Sequence, residues 1–436
     1  VVQTYFLTNS IRVSGLRLQE YEDGSEVSAQ VDGLPDRREP LRVWFRFSGL
    51  GPEQIALSGD PFIPALLPAA MWFRMPIVIE GDVSERLLAG VPQIMTWWSR
   101  WERRMRPVEI HAGSARHGAA RGRGIGCFFT AGVDSFYTLL ENLATETGDS
   151  RVTHLLFFQG HPGMALENEA RYRPRQKHIE DVAREFSLNT VFGSTNAAEI
   201  APGITADWPI RATSNLIGPG LCLAPLLRRL IVSAAATYDA PFPQGNHPLT
   251  DPMWSTGEVQ VVHQGGEASR SRKIQLRIRD SDSALAHLAV CGDGYSPEYN
   301  CGRCEKCVRT MIALRAYGVL DRCQTLPHEI SLAHVRNLNF ENYLMASYLV
   351  DNLAALEATG SDPELAATLR DVLKPHPLRW MRSQFVKWVY DFDRFYLQGS
   401  VRRWARARAL AEGRQIELSA NPFRWLLSRT RRISRD

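Results

Sequence analysis

No stretch of this sequence is both long and pure enough in apolar residues to cross a bilayer. Residues 63–75 are broken by Arg74, and residues 216–238 by Arg228 and Arg229. A strong charge of one sign is missing too: 51 Lys and Arg stand against 47 Asp and Glu, and a balance of +4 diagnoses no partner. Cysteine is scarce, seven in 436 residues, which excludes the disulfide scaffold of a small secreted domain. Internal repeats and a leader-like N-terminal pattern are absent as well, so the expectation is a cytoplasmic protein with no membrane segment. With 44% hydrophobic and 22% charged residues, the composition is that of a globular chain, neither disordered nor collagenous. Its length leaves room for about two to three domains.

Three regions follow from patterning. Residues 1–120 mix alternating segments, such as 41–47 and 76–80, with a helical pattern over 83–103, and predict an α+β accessory domain. Residues 113–126, with Arg116, Arg121 and Arg123 among Gly, Ala and Ser, read as a linker. From Ile125 apolar strands alternate with helices: strand 125–129, helix 135–144, strand 152–158, helix 175–186, strand 188–192 and a long helix 215–238. That alternation predicts an α/β domain over 121–320, a parallel sheet with helices on both faces. Residues 321–436 read as a C-terminal helical region, with helices over 340–357 and 378–396. Its basic tail carries ten Arg from Val401 onward against Glu412, Glu417 and Asp436.

The chemistry concentrates at two places. The first is Thr130-Ala131-Gly132-Val133-Asp134-Ser135, set between an apolar strand and an amphipathic helix. Such a junction aims backbone N–H groups and a helix dipole at one spot, which suits a phosphate. Gly132 lets the backbone approach a ligand, and Ser135 adds a hydroxyl at the helix start. The same residues also suit a plain helix cap. The G-x-x-x-x-G-K-[ST] spacing and its lysine are missing, which excludes the P-loop of GTPases. The loop instead resembles the S-G-G-x-D-S loop of the PP-loop ATP pyrophosphatase superfamily, with Thr130 for the first Ser and Ala131 for the first Gly. The resemblance implies an adenine-nucleotide α-hydrolase type of fold. It also implies ATP and Mg²⁺, cleavage between the α- and β-phosphates, Thr130 to Ser135 around the nucleotide, and Ser135 on the pyrophosphate.

The second place is Cys291, Cys301, Cys304 and Cys307, spaced C-x9-C-x2-C-x2-C. Four thiolates joined by turns suit tetrahedral Zn²⁺ in a site closed to catalysis, and an iron–sulfur cluster uses similar spacings. Loop and cysteines together are similar to the 7-cyano-7-deazaguanine synthase family. That likeness covers about residues 125–318 and implies a structural zinc beside an AMP-forming ligase.

Between the two motifs, Gln159, Gly160 and His161 end a strand and are expected near the nucleotide, because open α/β sheets bind ligands at the carboxyl ends of their strands. His247 and Asp251, in a polar turn after a further strand, are candidates for substrate or magnesium, or belong to a solvated loop. Arg272 and Lys273, in Ser-Arg-Ser-Arg-Lys, fall where the superfamily places cations against the phosphates, and they are candidates to stabilise the leaving charge. A surface charge run reads the same way. Arg211 and Asn215 fall where relatives carry an Arg-Asn pair, and Asn215 is taken as substrate-binding.

The leading expectation is an ATP-dependent ligase that adenylates a carboxylate or amide oxygen of a small molecule for attack by ammonia or an amine. The alternatives are a sulfurtransferase acting on tRNA or a small molecule, and a non-catalytic nucleotide sensor. In the sulfurtransferase reading, Cys127, Cys222 or Cys323 would carry sulfur and the tail, with Trp404 and Trp425, would bind RNA. In this reading nucleic acid is not the favoured partner, and a homodimer is compatible.

Overall fold

The computed structural model describes residues 9–161, 164–201, 210–292, 299–338 and 343–374, with 388, 392 and 393. Its chain forms two compact units. The first comprises the described residues of Val1–Phe129, Glu141–Tyr172 and Ile179–Glu267, and the second those of Thr130–Leu140, Arg173–His178 and Ala268–Asp436.

The first unit is organised by a ten-stranded, mostly parallel sheet among the described residues. Strands β1 (Ile11–Tyr21), β2 (Gly24–Asp32) and β3 (Leu41–Ser48) form an antiparallel meander. Asp23-Gly24 turns the first hairpin, and Gly24 takes φ +150, where a side chain would strike the Phe47 carbonyl. Strands β4 (Ile77–Ser84) and β5 (Ile110–Arg116) add in parallel beside β1. On the other side stand β6 (Gly124–Phe128), β7 (His154–Gln159), β8 (Asn189–Thr195), β9 (Leu227–Ser233) and β10 (Gln260–Gln264), all parallel to one another. The order is β10-β9-β6-β7-β8-β3-β2-β1-β4-β5, with β3 pairing antiparallel to β8.

Helices cover this sheet where the sequence offers apolar faces. Helix α1 (Phe62–Phe73) is apolar throughout and buries ten residues from Phe62 to Met71. Helix α2 (Glu85–Trp101) buries Leu87, Val91, Ile94, Met95 and Trp98 at three- and four-residue spacing, the stripe of a half-covered helix. Helices α3 (Val133–Thr145) and α4 (Glu169–Glu185) follow β6 and β7, and α5 (Ile210–Cys222) precedes β9.

Two expectations need correction. The helix expected over 215–238 ends at Cys222, and Leu227–Ser233 is instead strand β9, held between β10 and β6. Pro225 stops the helix, and the buried run Leu230-Ile231-Val232 cannot be told from a helical segment by periodicity alone. The linker expected over 113–126 shrinks, because β5 runs to Arg116 and β6 starts at Gly124. As a result, residues up to 120 supply five strands to the same sheet that β6 to β10 complete.

The second unit is helical. Helix α6 (Arg270–Lys273) continues directly as a π turn over Ile274–Ile278, followed by α7 (Asp282–His287) and α8 (Glu305–Ala316). Helices α9 (Leu332–Arg336), α10 (Tyr343–Thr359) and α11 (Pro363–Leu373) complete it. Val308 and Ile312 of α8 meet Val335, Leu349, Leu356, Leu365 and Leu369 in its core. The helix expected over 378–396, apart from residues 388, 392 and 393, and the basic tail, with Trp404 and Trp425, lie outside the described residues. No helix among the described residues is long and apolar enough to cross a membrane.

Candidate functional site

Strands β6 to β10 stand in the order 5-4-1-2-3 by their place in the chain, so the direction of winding reverses between β6 and β9. In open α/β sheets, the carboxyl ends of the two strands at such a reversal are where ligands bind. One residue after β6 the chain enters Thr130 to Ser135, which belongs to the second unit.

In that segment Ala131, not Gly132, takes the left-handed conformation, with φ +56. An L-residue there costs about 1–2 kcal/mol, and Ala131 is fully buried, so its surroundings hold it in place. The Ala131 carbonyl accepts a 2.7 Å bond from Ala289 N–H, and the Gly132 carbonyl accepts from Phe136 N–H at 2.9 Å and from Ser135 Oγ at 3.1 Å. Among the described residues no acceptor meets the N–H groups of Gly132, Val133, Asp134 and Ser135. A left-handed residue followed by a helix start therefore gathers free donors into a concavity suited to an anion.

Beside these donors lies a cluster of charge. Asp134 accepts from Lys273 Nζ at 2.9 Å and from Arg270 at 2.5 Å. Lys273 is 1% exposed and Arg270 18% exposed, so both ion pairs are largely buried. Burial pushes the Asp134 carboxyl up, but the charges of Arg270 and Lys273 outweigh it and hold the group below its ordinary value. Arg309 of α8 pairs with Glu305 at 2.8 Å and lies over the Tyr348 ring at 4.3 Å, with Arg270 over the same ring at 5.3 Å. Burial and the neighbouring Arg270 charge push Arg309 below its ordinary value. Three cations thus face two carboxylates, and Nε of both Arg270 and Arg309 is buried without a partner. A surplus of buried positive charge with unused donors favours an anion, since an uncompensated buried charge is costly.

Lys273 thus stands at Asp134, whereas Arg272 is exposed and bonds to Gln275 one turn on. Arg270 belongs to the same basic run, from which the sequence alone singles out Arg272 in its place, whereas nothing local marks Arg309. The helix that carries Arg309 is brought to Asp134 only by the tertiary fold.

The four cysteines meet a geometric test for a metal. Their sulfurs all lie within 4.8 Å of one another, with Cys291–Cys304 and Cys301–Cys307 each at 3.9 Å. A tetrahedral zinc with bonds of about 2.3 Å needs sulfurs about 3.8 Å apart, so the set fits a metal such as zinc. Cys304 N–H also donates to Cys301 Sγ at 3.3 Å, and Cys304 caps α8 with Cys307 in its first turn, where the helix dipole favours thiolates. Asn300 pins the surrounding segments: its Oδ1 accepts from Val290 and Cys291 N–H, and its Nδ2 donates to the Leu288 and Thr325 carbonyls. Because Ala289 also bonds to Ala131, the cysteine-bearing segment and the phosphate-type loop share one backbone frame.

The remaining sequence candidates lie in the first unit. Gln159 donates to the Ala165 and Leu166 carbonyls and so shapes a turn, with Gly160 at φ +97 pressed against the Thr195 carbonyl. Asp251 is fully buried; one oxygen accepts from His263 Nδ1 at 2.7 Å and the other has no partner. Burial pushes the Asp251 carboxyl up, partly countered by His263. His247 packs its ring 4.7 Å from Trp101, and burial with the nearby His263 pushes it down to about 4. Asn215 is 1% exposed, and neither its amide nitrogen nor its amide oxygen has a partner. The Arg211 side chain lies outside the described atoms.

Cys127, Cys222 and Cys323 are fully buried, and burial pushes each thiol up, Cys127 to about 12. No family model, no curated protein and no solved structure matches the chain.

Proposed function

We propose that the chain is an ATP-dependent, AMP- and pyrophosphate-forming enzyme of the PP-loop type. In this reading it activates a carboxylate or amide oxygen of a small molecule as an adenylate for attack by ammonia or an amine. The observation that carries the reading is the pairing of free loop donors, Gly132 to Ser135, with the buried cations Arg270, Lys273 and Arg309. ATP is the substrate that supplies the anion.

In this account the loop N–H groups and Thr130 receive the phosphates, and Ala131 shapes the turn. Ser135 releases the Gly132 carbonyl to donate to the leaving pyrophosphate. Asp134 is a positioning residue that holds Lys273 and Arg270 until phosphate oxygens take over those donors. The cations then stabilise charge developing on the bridging oxygen as the α–β bond breaks. Magnesium would reach the site with the nucleotide, since Asp134 is already engaged by two cations. Zinc at the four cysteines would be structural, because four sulfurs leave no open position. In the first unit, Asn215 keeps a buried donor and acceptor without partners.

Burial of Cys127, Cys222 and Cys323 argues for ligase chemistry over sulfur transfer, which needs an accessible thiolate. The test is pyrophosphate release from Mg-ATP in the presence of a metabolite pool. Wild type should release pyrophosphate and Ser135→Ala should release about a hundredfold less, the scale for losing one donor to developing charge. Equal release by both would sink the loop assignment.

A further inference from the structure

The carboxyl end of α2 carries a surface that the proposed small-molecule chemistry does not use. The sequence there runs Trp97-Trp98-Ser99-Arg100-Trp101-Glu102-Arg103-Arg104-Met105-Arg106. Trp98 faces inward and is fully buried against Trp254, which fixes the rotation of the helix. Trp97 and Trp101, four residues apart, therefore share a partly exposed face, with ring centroids 6.2 Å apart. His247 is buried 4.7 Å behind Trp101 and backs its ring. Arg100 lies over Trp97 at 5.4 Å.

The chain then turns back to the end of α1, where Arg106 N–H bonds the Met71 carbonyl at 3.1 Å. That turn brings Arg104 over the Trp72 ring at 5.3 Å. Arg74, Arg100, Arg103 and Arg106 are exposed. Within residues 97–106 the one acid, Glu102, is 7% exposed, with an oxygen on Arg104 N–H. Five arginines thus lie around three partly exposed indoles, and no acid within residues 97–106 is exposed. A core does not need tryptophan and arginine alternating at its rim, and a solvated face does not need tryptophan.

We infer that this surface binds a single-stranded segment of RNA. Indoles offer flat faces on which bases stack whatever their sequence, and arginines reach the phosphates between them. Duplex DNA hides its base faces, whereas folded RNA displays unpaired bases in loops and ends, so the stacking row points to RNA. An anionic membrane would be met by the same arginines. It would not need rings set in a tilted row, and no helix among the described residues is long and apolar enough to cross a membrane. The surface is built wholly from the first unit and does not depend on the ATP reading.

The test uses the full chain and a fluorescent twelve-nucleotide single-stranded RNA of mixed sequence, followed by anisotropy across a salt series. The same strand as a duplex, the same sequence as single-stranded DNA, and phosphatidylserine vesicles serve as comparisons. The expected result is tightest binding to the single-stranded RNA, weakened about tenfold or more by Trp101→Ala. Replacing Arg100, Arg103 and Arg106 by Gln should flatten the salt slope by about two, near 0.7 per lost phosphate contact. These arginines are exposed, so that variant keeps its fold even if Trp101→Ala does not. Binding of duplex or vesicles in preference to single strands, a preference for the DNA strand, or unchanged affinity and salt slope in the arginine variant, would overturn the inference.

Discussion

Replacing Asp134 by Asn probes the charge cluster most sharply, because the shape is kept and one negative charge is lost. Asp134 neutralises Lys273, 1% exposed, and Arg270, 18% exposed, and is itself 16% exposed. Removing one partner of a buried pair costs about 3–5 kcal/mol, and partial exposure of Arg270 places the expectation near 3 kcal/mol. Urea unfolding at pH 7 measures it. The pH dependence carries a definite sign. The folded carboxyl is held below its ordinary 3.8, so its contribution is complete above that value. It is lost as pH falls through the lowered folded value, and wild type and variant should converge only below about pH 4. Pyrophosphate supplies the missing charge, so at a hundred times its dissociation constant it should return about 2.7 kcal/mol to the variant. A loss under about 1 kcal/mol at pH 7, or no response to pyrophosphate, would show that the cations are not held for an anion.

Ala131→Gly should relieve about 1–2 kcal/mol of left-handed strain against about 0.5–1 kcal/mol of added chain entropy, so stability should rise by no more than about 1.5 kcal/mol. ATP affinity by equilibrium dialysis should rise as the methyl leaves the turn, and a drop in affinity would count against the loop. Asn215→Leu should stabilise the protein by about 1–3 kcal/mol in thermal unfolding, since an unsatisfied buried amide is removed. A destabilised variant would mean that the amide is satisfied within the fold. Chelation should release about one equivalent of metal and expose four thiols to a thiol reagent, whereas Cys304→Ser purified alongside should hold markedly less zinc by elemental analysis. Metal content unchanged by Cys304→Ser would place the ion elsewhere.

The sequence carried much of this arrangement. Alternating apolar strands and helices after Ile125 announced the parallel half of the sheet, and close cysteine spacing announced a metal-type cluster, because both are local patterns. Strand β9 is hidden because a short buried run has no period of its own, and Pro225 is the local signal that the helix stops before it. The continuity of β3 with β8 could not be read at all, since pairing between strands about 150 residues apart is a tertiary fact. In the charge cluster, the basic run 269–273 is legible, but which of its cations meets Asp134 is not, and Arg309 becomes visible only when α8 meets Asp134. Ala131 was legible as a departure from glycine, but its φ of +56 shows that the turn is kept despite the methyl group.

The central claim is cleavage of ATP between its α- and β-phosphates by the site that Asp134 organises. Wild type and Asp134→Asn, each incubated with α-phosphate-labelled Mg-ATP and a metabolite extract and resolved by chromatography, test it most directly. The account predicts label in AMP and in a transient adenylate with wild type, and a strong loss of both with the variant. Label in ADP, or AMP formed equally by the two proteins, would contradict it.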